Sequence, residues 1–411
     1  MPSSALSAEV DVCILGAGPH GLATALHLMA ADPALGERMA VIDPSGSWLS
    51  TWREQFARLE IDNLRSPIVH HPAPEVSALA RHVAARDLPR SGLPYELPTT
   101  AAFDEFCDHL IATSGVVTPI AARPRRVRPS QGRIVVSWAG HTLTADRLVV
   151  ATNPHRRVVP TWVEPLLGRF GALDHAADVD LRTFDRLDGE HVVVVGGGLT
   201  AGHLVAGAAG RGATVEQITR RPIVRRPFDT DPGWLGPRFL RGFDAVTDPE
   251  QRVSMAKDAR GGGTMPAWMH DRLVELEATG AVAIREGSSV SEADVREDGR
   301  AELRLDDGDV VAADRIWLAT GTVPSIESMR CLSDVVADMG LVDGVPIVDD
   351  DLKAGPHPVH VIGRLAMTAL GPAAGNLWGA QRAAERITTA ITGVELDLSM
   401  TAIFHPRQAH R

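Results

Sequence analysis

The most regular pattern in the chain is a short apolar run that stops at glycine and resumes with helical character. Val10–Leu15 (VDVCIL) reads as a buried strand rich in β-branched residues. After Gly21 the segment LATALHLMAA is built of helix formers and is closed by Asp32-Pro33. Met39–Asp43 (MAVID) is a second buried strand. Apolar strands joined through a helix make a βαβ unit, at home in a parallel sheet covered on both faces. From Pro44 to Pro98 the pattern is irregular and rich in Pro and Trp, with at most one helix, near Val76–Arg86. Phe103–Thr113 is expected to be helical. Val127–Thr144 alternates, with turns at Gln131-Gly132 and Ala139-Gly140, as an antiparallel meander does.

The same order of events then begins again. His191–Val195 (HVVVV) is a strand, Gly196–Gly198 a glycine turn, Leu204–Gly210 a small-residue helix and Thr214–Thr219 (TVEQIT) the next strand. A long insertion rich in Pro, Gly and Trp follows, and Ala281–Val311 alternates like a second meander. Each meander runs into a similar strand, Asp146–Thr152 (DRLVVAT) and Asp314–Thr320 (DRIWLAT). A repeat of this length is a domain duplication and not a solenoid.

The chemistry sits at the two glycine turns. Gly16-Ala-Gly18-Pro19-His20-Gly21 follows a strand, opens a helix and has Asp43-Pro44 at the end of the next strand. In such a turn the first glycine permits the bend, the second lets a pyrophosphate reach backbone N–H groups, and the third lets helix and strand pack closely. The helix N-terminus adds partial positive charge. Asp43 would accept hydrogen bonds from ribose hydroxyls, favouring a dinucleotide with a free 2′-OH. The second turn, Gly196-Gly-Gly198-Leu199-Thr200-Ala201, is a GxGxxA form whose following strand ends in Arg220-Arg221 and not in a carboxylate. A guanidinium can pair bidentately with a 2′-phosphate, which points to NADPH; a solvated basic turn is the plain alternative. The fold class expected is therefore α/β, with two Rossmann-like (βαβ, three-layer) dinucleotide-binding domains, each carrying a β-meander insertion. Residues 1–165 and 345–411 are assigned to the first, discontinuous, domain, because Val359–Ile362 and a helix from about Asn376 to Ile391 can return to its sheet. Residues 166–344 are assigned to the second, with 226–267 as an inserted loop or lid.

Composition narrows the remaining classes. The chain has 411 residues, 44% of them hydrophobic, enough for two ordinary cores. A net charge of −11 argues against nucleic acid as a partner. Cys13, Cys107 and Cys331 are far apart, so neither a disulfide framework nor a Cys-x-x-Cys pair is expected, which suits a reducing cytoplasm. The start, MPSSALSAEVD, carries no basic segment followed by an apolar run, so no signal peptide is expected. No apolar stretch suits a membrane span. Without H-E-x-x-H or a Cys/His cluster, no metal is expected. His70-His71 reads as surface or pocket wall, and a homo-oligomer is left open.

Taken together, GAGPHG, GGGLTA and the two Ala-Thr strand ends resemble the two-dinucleotide-binding-domain flavoproteins. Within them, Asp314-Arg-Ile-Trp-Leu-Ala-Thr320-Gly321 resembles the D-x-x-x-L-A-T-G signature of the class B flavin monooxygenases of the lysine/ornithine N-hydroxylase group. Gly46-Ser47-Trp48, followed by Trp52-Arg53, resembles the Gly-x-Trp segment lining the flavin. Asn63, in Leu59-Glu-Ile-Asp-Asn63, stands where flavin-containing monooxygenases carry an active-site asparagine; its bland reading is a turn residue capping a strand. The closing flavin motif, Gly-Asp in the family, is Gly363-Arg364 here, with the helix after Gly375-Asn376-Leu377 in place. The linker motif F-x-G-x-x-x-H survives only from Gly171 to His175, with Arg169 in place of Phe. The resemblance implies FAD held by Gly16, Gly18, Pro19, His20, Gly21, Asp43, Pro44, Trp48, Trp52, Thr152, Gly363, Asn376 and Leu377. It implies NADPH held by Gly196, Gly198, Leu199, Thr200, Ala201, Arg220, Arg221, Thr320 and Gly321. The implied activity is a cytoplasmic FAD- and NADPH-dependent monooxygenase. It would hydroxylate a nitrogen or sulfur centre of a small amine or thioether with O2 through a C4a-hydroperoxyflavin, with Asn63 as catalytic residue. An NADPH-dependent flavin reductase or dehydrogenase serving another acceptor is the alternative, and a flavin-binding protein with little turnover a third reading.

Overall fold

The computed structural model describes residues 7–91 and 96–396; the expectation about the chain start, MPSSAL, lies outside the described residues. In chain order the elements that matter begin with β1 (Ser7–Leu15), α1 (Pro19–Ala31), β2 (Met39–Asp43), α2 (Ser50–Arg58), α3 (Ala78–Arg86) and α4 (Thr100–Ser114). Next come β3 (Ile120–Ala121), β4 (Arg126–Ser130), β5 (Arg133–Trp138), β6 (His141–Val150) and β7 (His155–Arg157). The second half opens with β8 (Leu173–His175), β9 (His191–Val195), α5 (Leu199–Ala209) and β10 (Thr214–Thr219). Then follow α6 (Pro237–Asp244), α7 (Pro249–Arg260), α8 (Ala267–Ala278) and β11 (Val282–Glu286). The last elements are β12 (Val290–Val295), β13 (Ala301–Leu305), β14 (Val310–Ala313), β15 (Arg315–Leu318), β16 (Thr322–Pro324), β17 (Val359–Val361) and α9 (Leu377–Thr392).

The first sheet runs β3-β2-β1-β6-β5-β4, with β17 also pairing with β6; β3, β2, β1, β6 and β17 are parallel and β5 and β4 form an antiparallel meander. The twofold alternation of β1 feeds two cores at once. Val12 and Ile14 join Leu22 of α1, Phe103 of α4 and Ile387 of α9 on one face; Cys13 and Leu15 join Ile134 and Val136 of the meander on the other. The second sheet, β8-β15-β9-β10-β11, is parallel throughout. Val192 and Val194 face α5 and α8, while Val193 faces the separate meander β12-β13-β14. The three-layer, two-Rossmann plan expected from the sequence is what the chain adopts.

Three features differ from expectation in detail. Val282–Glu286 does not belong to the second meander but is a parallel edge strand beside β10; its alternation fits either place, and only long-range pairing decides. Ahead of residue 345 the chain already packs on the first sheet: β16 pairs with β7 in a separate two-stranded sheet, and Ile326, Leu332, Val335 and Met339 fill the meander-side core of the first sheet. The insertion 226–267 is largely helical. Its signals were local ones: Asp248 caps α7 through the Glu250 N–H, Pro249 starts it, and Gly261 (φ 61°) ends it in the left-handed region. Val253 and Ala256 of α7 are buried in the first unit's core, and Arg252 Nη1 donates to the Thr368 carbonyl at 2.9 Å.

Candidate cofactor and active site

The first glycine turn has the geometry its spacing predicts. Gly16 sits at φ 107°, and a Cβ there would meet the Thr152 nitrogen at 2.9 Å. At Gly21 a Cβ would stand 2.1 Å from the Gly16 carbonyl oxygen, whereas at Gly18 it would meet nothing within 4 Å. So Gly16 and Gly21 are required by the fold, and Gly18 leaves an open cradle at the start of α1, where Pro19 takes the first helical position. Asp43 closes this end: its Oδ2 accepts the Ala17 N–H at 3.0 Å, and its Oδ1 accepts the Ser45 N–H and hydroxyl at 2.9 and 2.6 Å. Pro44 lies between the two residues of that turn. His20 bridges to the distal loop, donating from Nε2 to the Ala374 carbonyl at 3.3 Å; burial lowers its pKa, and the hydrogen bond to Ala374 opposes that shift in part. Its ring lies 3.7 Å from where a Cβ of Gly363 (φ 68°) would stand.

The other residues assigned to this site fall into two groups. Thr152 caps β6 with its hydroxyl against the Met329 sulfur at 3.2 Å. Asn376 caps α9, directly before Leu377, and donates to Asp229 Oδ1 at 3.1 Å. Asn63 is half-buried; its backbone bridges Thr99, and its side-chain amide makes no hydrogen bond among the described residues. Trp48 is different: its indole is buried in the core and donates to the Val117 carbonyl at 3.0 Å, so only its backbone is left for a ligand. Trp52 packs on Phe56 and Phe103, with ring centroids 4.3 and 5.2 Å apart. His70 and His71 are both buried, and not surface groups.

The second turn repeats the backbone but not the opening. Gly196 (φ 145°) packs on Ala319, whose carbonyl oxygen would be 2.4 Å from a Cβ, and Ala201 is fully buried where Gly21 stands in the first copy. Over Gly198, however, lies Gly263: a Cβ on Gly198 would meet the Gly263 Cα at 3.1 Å. The Leu199 N–H, first in α5, donates to the Thr264 carbonyl at 3.1 Å, while Thr200 is exposed. Arg220 is exposed; Arg221 donates from Nη1 to the Gly261 carbonyl at 2.8 Å. Thr320 donates to the Val158 carbonyl, and the Gly321 carbonyl accepts from the Val158 N–H at 3.0 Å and from His175 Nε2 at 3.1 Å. Asp314, the acid of the D-x-x-x-L-A-T-G run, faces away from the crevice. It accepts the His191 N–H at 2.8 Å and pairs with Arg300 at 3.0 Å, fixing β9 to β15.

Four charged residues, none of them assigned to the site from the sequence, join the two units. Arg65 donates to the carbonyls of Arg226, Pro227 and Thr264 and to the Thr264 hydroxyl, at 2.7–3.2 Å. Asp229 pairs with Arg260 at 2.7 Å besides accepting from Asn376, and Arg260 also donates to the Pro372 carbonyl at 2.9 Å. Arg364 bonds the Asn153 side chain at 3.1 Å and both oxygens of Thr322 at 2.9 and 3.1 Å, at the point where the chain crosses between units. Among the described residues neither Arg65 nor Arg364 has a carboxylate ion-pair partner, and burial pulls both guanidinium groups down to about 10. Only the unusual arginine after Gly363 was visible beforehand as a signal.

The open turn and the covered turn both lie at the carboxyl ends of parallel strands, where doubly wound sheets bind ligands. Residues 10–233 match the model of the pyridine nucleotide-disulphide oxidoreductase family. No curated protein sequence matches the chain. Among solved structures the fold is shared with the FAD-bound cadaverine monooxygenase of the desferrioxamine biosynthetic pathway from Erwinia amylovora. That match has a TM-score of 0.74 and 15% identity, over 98% of this chain and 99% of that one. It is shared with ornithine hydroxylase from Pseudomonas aeruginosa (TM-score 0.73, 16% identity, 93% and 99% covered). It is also shared with bacillithiol disulfide reductase from Bacillus cereus (TM-score 0.60, 16% identity, 94% and 99% covered). At these identities the likeness is one of fold. With the family match spanning more than half of its length and both glycine turns formed, the chain belongs to the pyridine nucleotide-disulphide oxidoreductase family.

Proposed function

We propose that the chain is an FAD- and NADPH-dependent oxidoreductase, and specifically a monooxygenase that hydroxylates a nitrogen, or sulfur, centre of a small molecule. The observation that carries this reading is the asymmetry of the two turns: an open cradle beside a carboxylate in one, and two arginines after the strand in the other. FAD fits the first: Gly16, Gly18, Pro19, His20 and Gly21 would hold its pyrophosphate and Asp43-Pro44 its ribose. Thr152, Gly363, Asn376, Leu377, Trp52 and the Trp48 backbone would border the flavin. NADPH fits the second, through Gly196, Gly198, Leu199, Thr200, Ala201, Thr320, Gly321, Arg220 and Arg221. We divide the chain accordingly into a discontinuous FAD-binding part and a continuous NADPH-binding part.

When bound, FAD supplies hydride acceptance and activation of O2, so that amine, O2, NADPH and a proton give hydroxylamine, water and NADP+. The chain's own contributions are placement and shielding. The Asn63 amide, without a partner among the described residues, is a hydrogen-bond donor for an oxygen atom of the reaction. Trp234, Leu240 and Phe243 close over Gly371, 3.6–3.8 Å from where its Cβ would stand, and wall off water beside the start of α9. A dithiol relay has no support: Cys13 and Cys107 are buried, burial pushing the Cys13 thiol up to about 12, and no disulfide joins any of the three cysteines. Unpaired cysteines also fit a cytoplasmic enzyme. The fold shared with amine and ornithine hydroxylases favours an amine as substrate.

The test is NADPH oxidation by the FAD-loaded protein across diamines, basic amino acids and thioethers, with product mass and peroxide measured. Amine-stimulated oxidation that adds one oxygen atom to the amine is expected. Turnover only with artificial electron acceptors, and no oxygenated product, would replace this reading with a flavin reductase.

A further inference from the structure

We propose that Gly261–Pro266 is a strap holding the second nucleotide site shut, and that a 2′-phosphate opens it by drawing Arg221 off the Gly261 carbonyl. Selection of NADPH over NADH would then come from what opens the site as well as from what the site holds. This rests on the reading of the second copy as the NADPH site.

The strap occupies the place a pyrophosphate needs. The second glycine of such a turn lacks a side chain so that phosphate can approach, and the first N–H groups of the helix receive it. Here the approach to Gly198 is filled by the Gly263 backbone, and the Leu199 N–H is used by the Thr264 carbonyl. The fit is reciprocal: a Cβ on Gly263 would stand 2.6 Å from the Gly198 Cα and 2.9 Å from its nitrogen. Only a glycine facing a glycine permits this closed form. In the first copy no atom of the described residues lies within 4 Å of where a Cβ of Gly18 would stand.

The two ends of the strap are held differently. Its far end is anchored, with Thr264 and Met265 buried, Arg65 bonded to both Thr264 oxygens, and Met265 paired with the backbone of Val224 and Arg226. Its near end is two consecutive glycines in the left-handed region, Gly261 (φ 61°) and Gly262 (φ 84°), with Arg221 lying against Gly262 and bonded to the Gly261 carbonyl. That bond joins a cation to a neutral oxygen. A phosphate offers the same guanidinium a charge-assisted, bidentate contact, which is the stronger one. Exposed Arg220 beside it has no partner among the described residues and can take the phosphate first. A nucleotide without the 2′-phosphate meets the closed strap, and its apparent affinity is reduced by the small fraction of open molecules.

The experiment is equilibrium binding of NADP+ and of NAD+ to the full-length, FAD-loaded protein, compared among wild type, Arg221→Ala and Gly263→Ala. If Arg221 both holds the phosphate and latches the strap, Arg221→Ala binds NADP+ more weakly yet binds NAD+ more tightly than wild type. A rise of about tenfold corresponds to a strap open roughly a tenth of the time. Gly263→Ala, unable to close, should raise NAD+ affinity without lowering that for NADP+. Should Gly263→Ala misfold, the exposed Arg221 substitution still decides. Loss of NADP+ affinity with NAD+ affinity unchanged in Arg221→Ala overturns the strap and leaves the nucleotide site standing. No NADP+ binding to wild type or to either variant overturns both.

Discussion

Gly16 and Gly21 touch so closely that the carbonyl of one lies 2.1 Å from where a Cβ of the other would stand. The neighbouring Gly18 faces open space, so the three glycines separate into fold and function. Gly21→Ala should destabilise the protein by roughly 1–3 kcal/mol through overpacking, with or without flavin. Gly18→Val should unfold like wild type in the absence of FAD and yet fail to retain FAD. Thermal unfolding of the flavin-free proteins, beside flavin absorbance of the loaded ones, distinguishes the two. Full FAD occupancy in Gly18→Val would remove the flavin from this turn.

Asn63→Ala tests the unpartnered amide. An unmade hydrogen bond in a water-poor site costs about 1–3 kcal/mol, roughly five- to a hundred-and-fiftyfold in rate. NADPH consumption should continue while oxygenated product falls and peroxide rises. Unchanged coupling of NADPH to product would discard the role given to Asn63.

Asp314 belongs to the sequence signature, but among the described residues its carboxylate bonds structural groups, His191 and Arg300. Asp314→Ala is expected to lower stability by about 1–3 kcal/mol and to leave the ratio of NADPH to NADH affinity as in wild type. A changed ratio at unchanged stability would give this residue a part in nucleotide binding.

Acid sensitivity follows from four buried imidazoles. Burial, the largest cause in each, holds His27, His70, His71 and His203 down to about 4. In the unfolded chain they return to about 6.5, so between those values the unfolded state binds more protons. Stability should be intact above about 6.5 and fall as pH drops toward 4. Denaturant midpoints measured across that window check it, and His27→Gln together with His71→Gln should flatten the profile. A wild-type profile already flat there would mean that these rings are not buried neutral in solution.

The glycine turns, their helices and the parallel strands were legible because each is written in a few contiguous residues: an apolar run, a glycine spacing, an acid or an arginine after the next strand. What covers and joins them was not. Arg65 meets Thr264, and Asn376 meets Asp229, across long stretches of chain, and no local pattern announces such pairs. Val282–Glu286 alternates as a meander strand would, yet completes a parallel sheet because β10 offers an edge. Trp48 carries a family motif, but the core behind β2 takes its indole. Gly263, which lies over Gly198, likewise comes from beyond α7.

β17 and α9 reach the first sheet from the far end of the chain, β17 pairing with β6 and α9 lying along α1, where Ala23 meets Ala380 and Ala384. The second sheet, by contrast, is continuous from β8 to β15. During synthesis the later half therefore has all its strands while the earlier half still waits with the apolar side of α1 uncovered. A nascent chain in that condition is prone to association until α9 has emerged and docked on α1. Truncation at the C-terminus should accordingly injure the N-terminal nucleotide site first, and pulse proteolysis of chains ending before Val359 should find β9–β15 protected and β1–β6 cleaved.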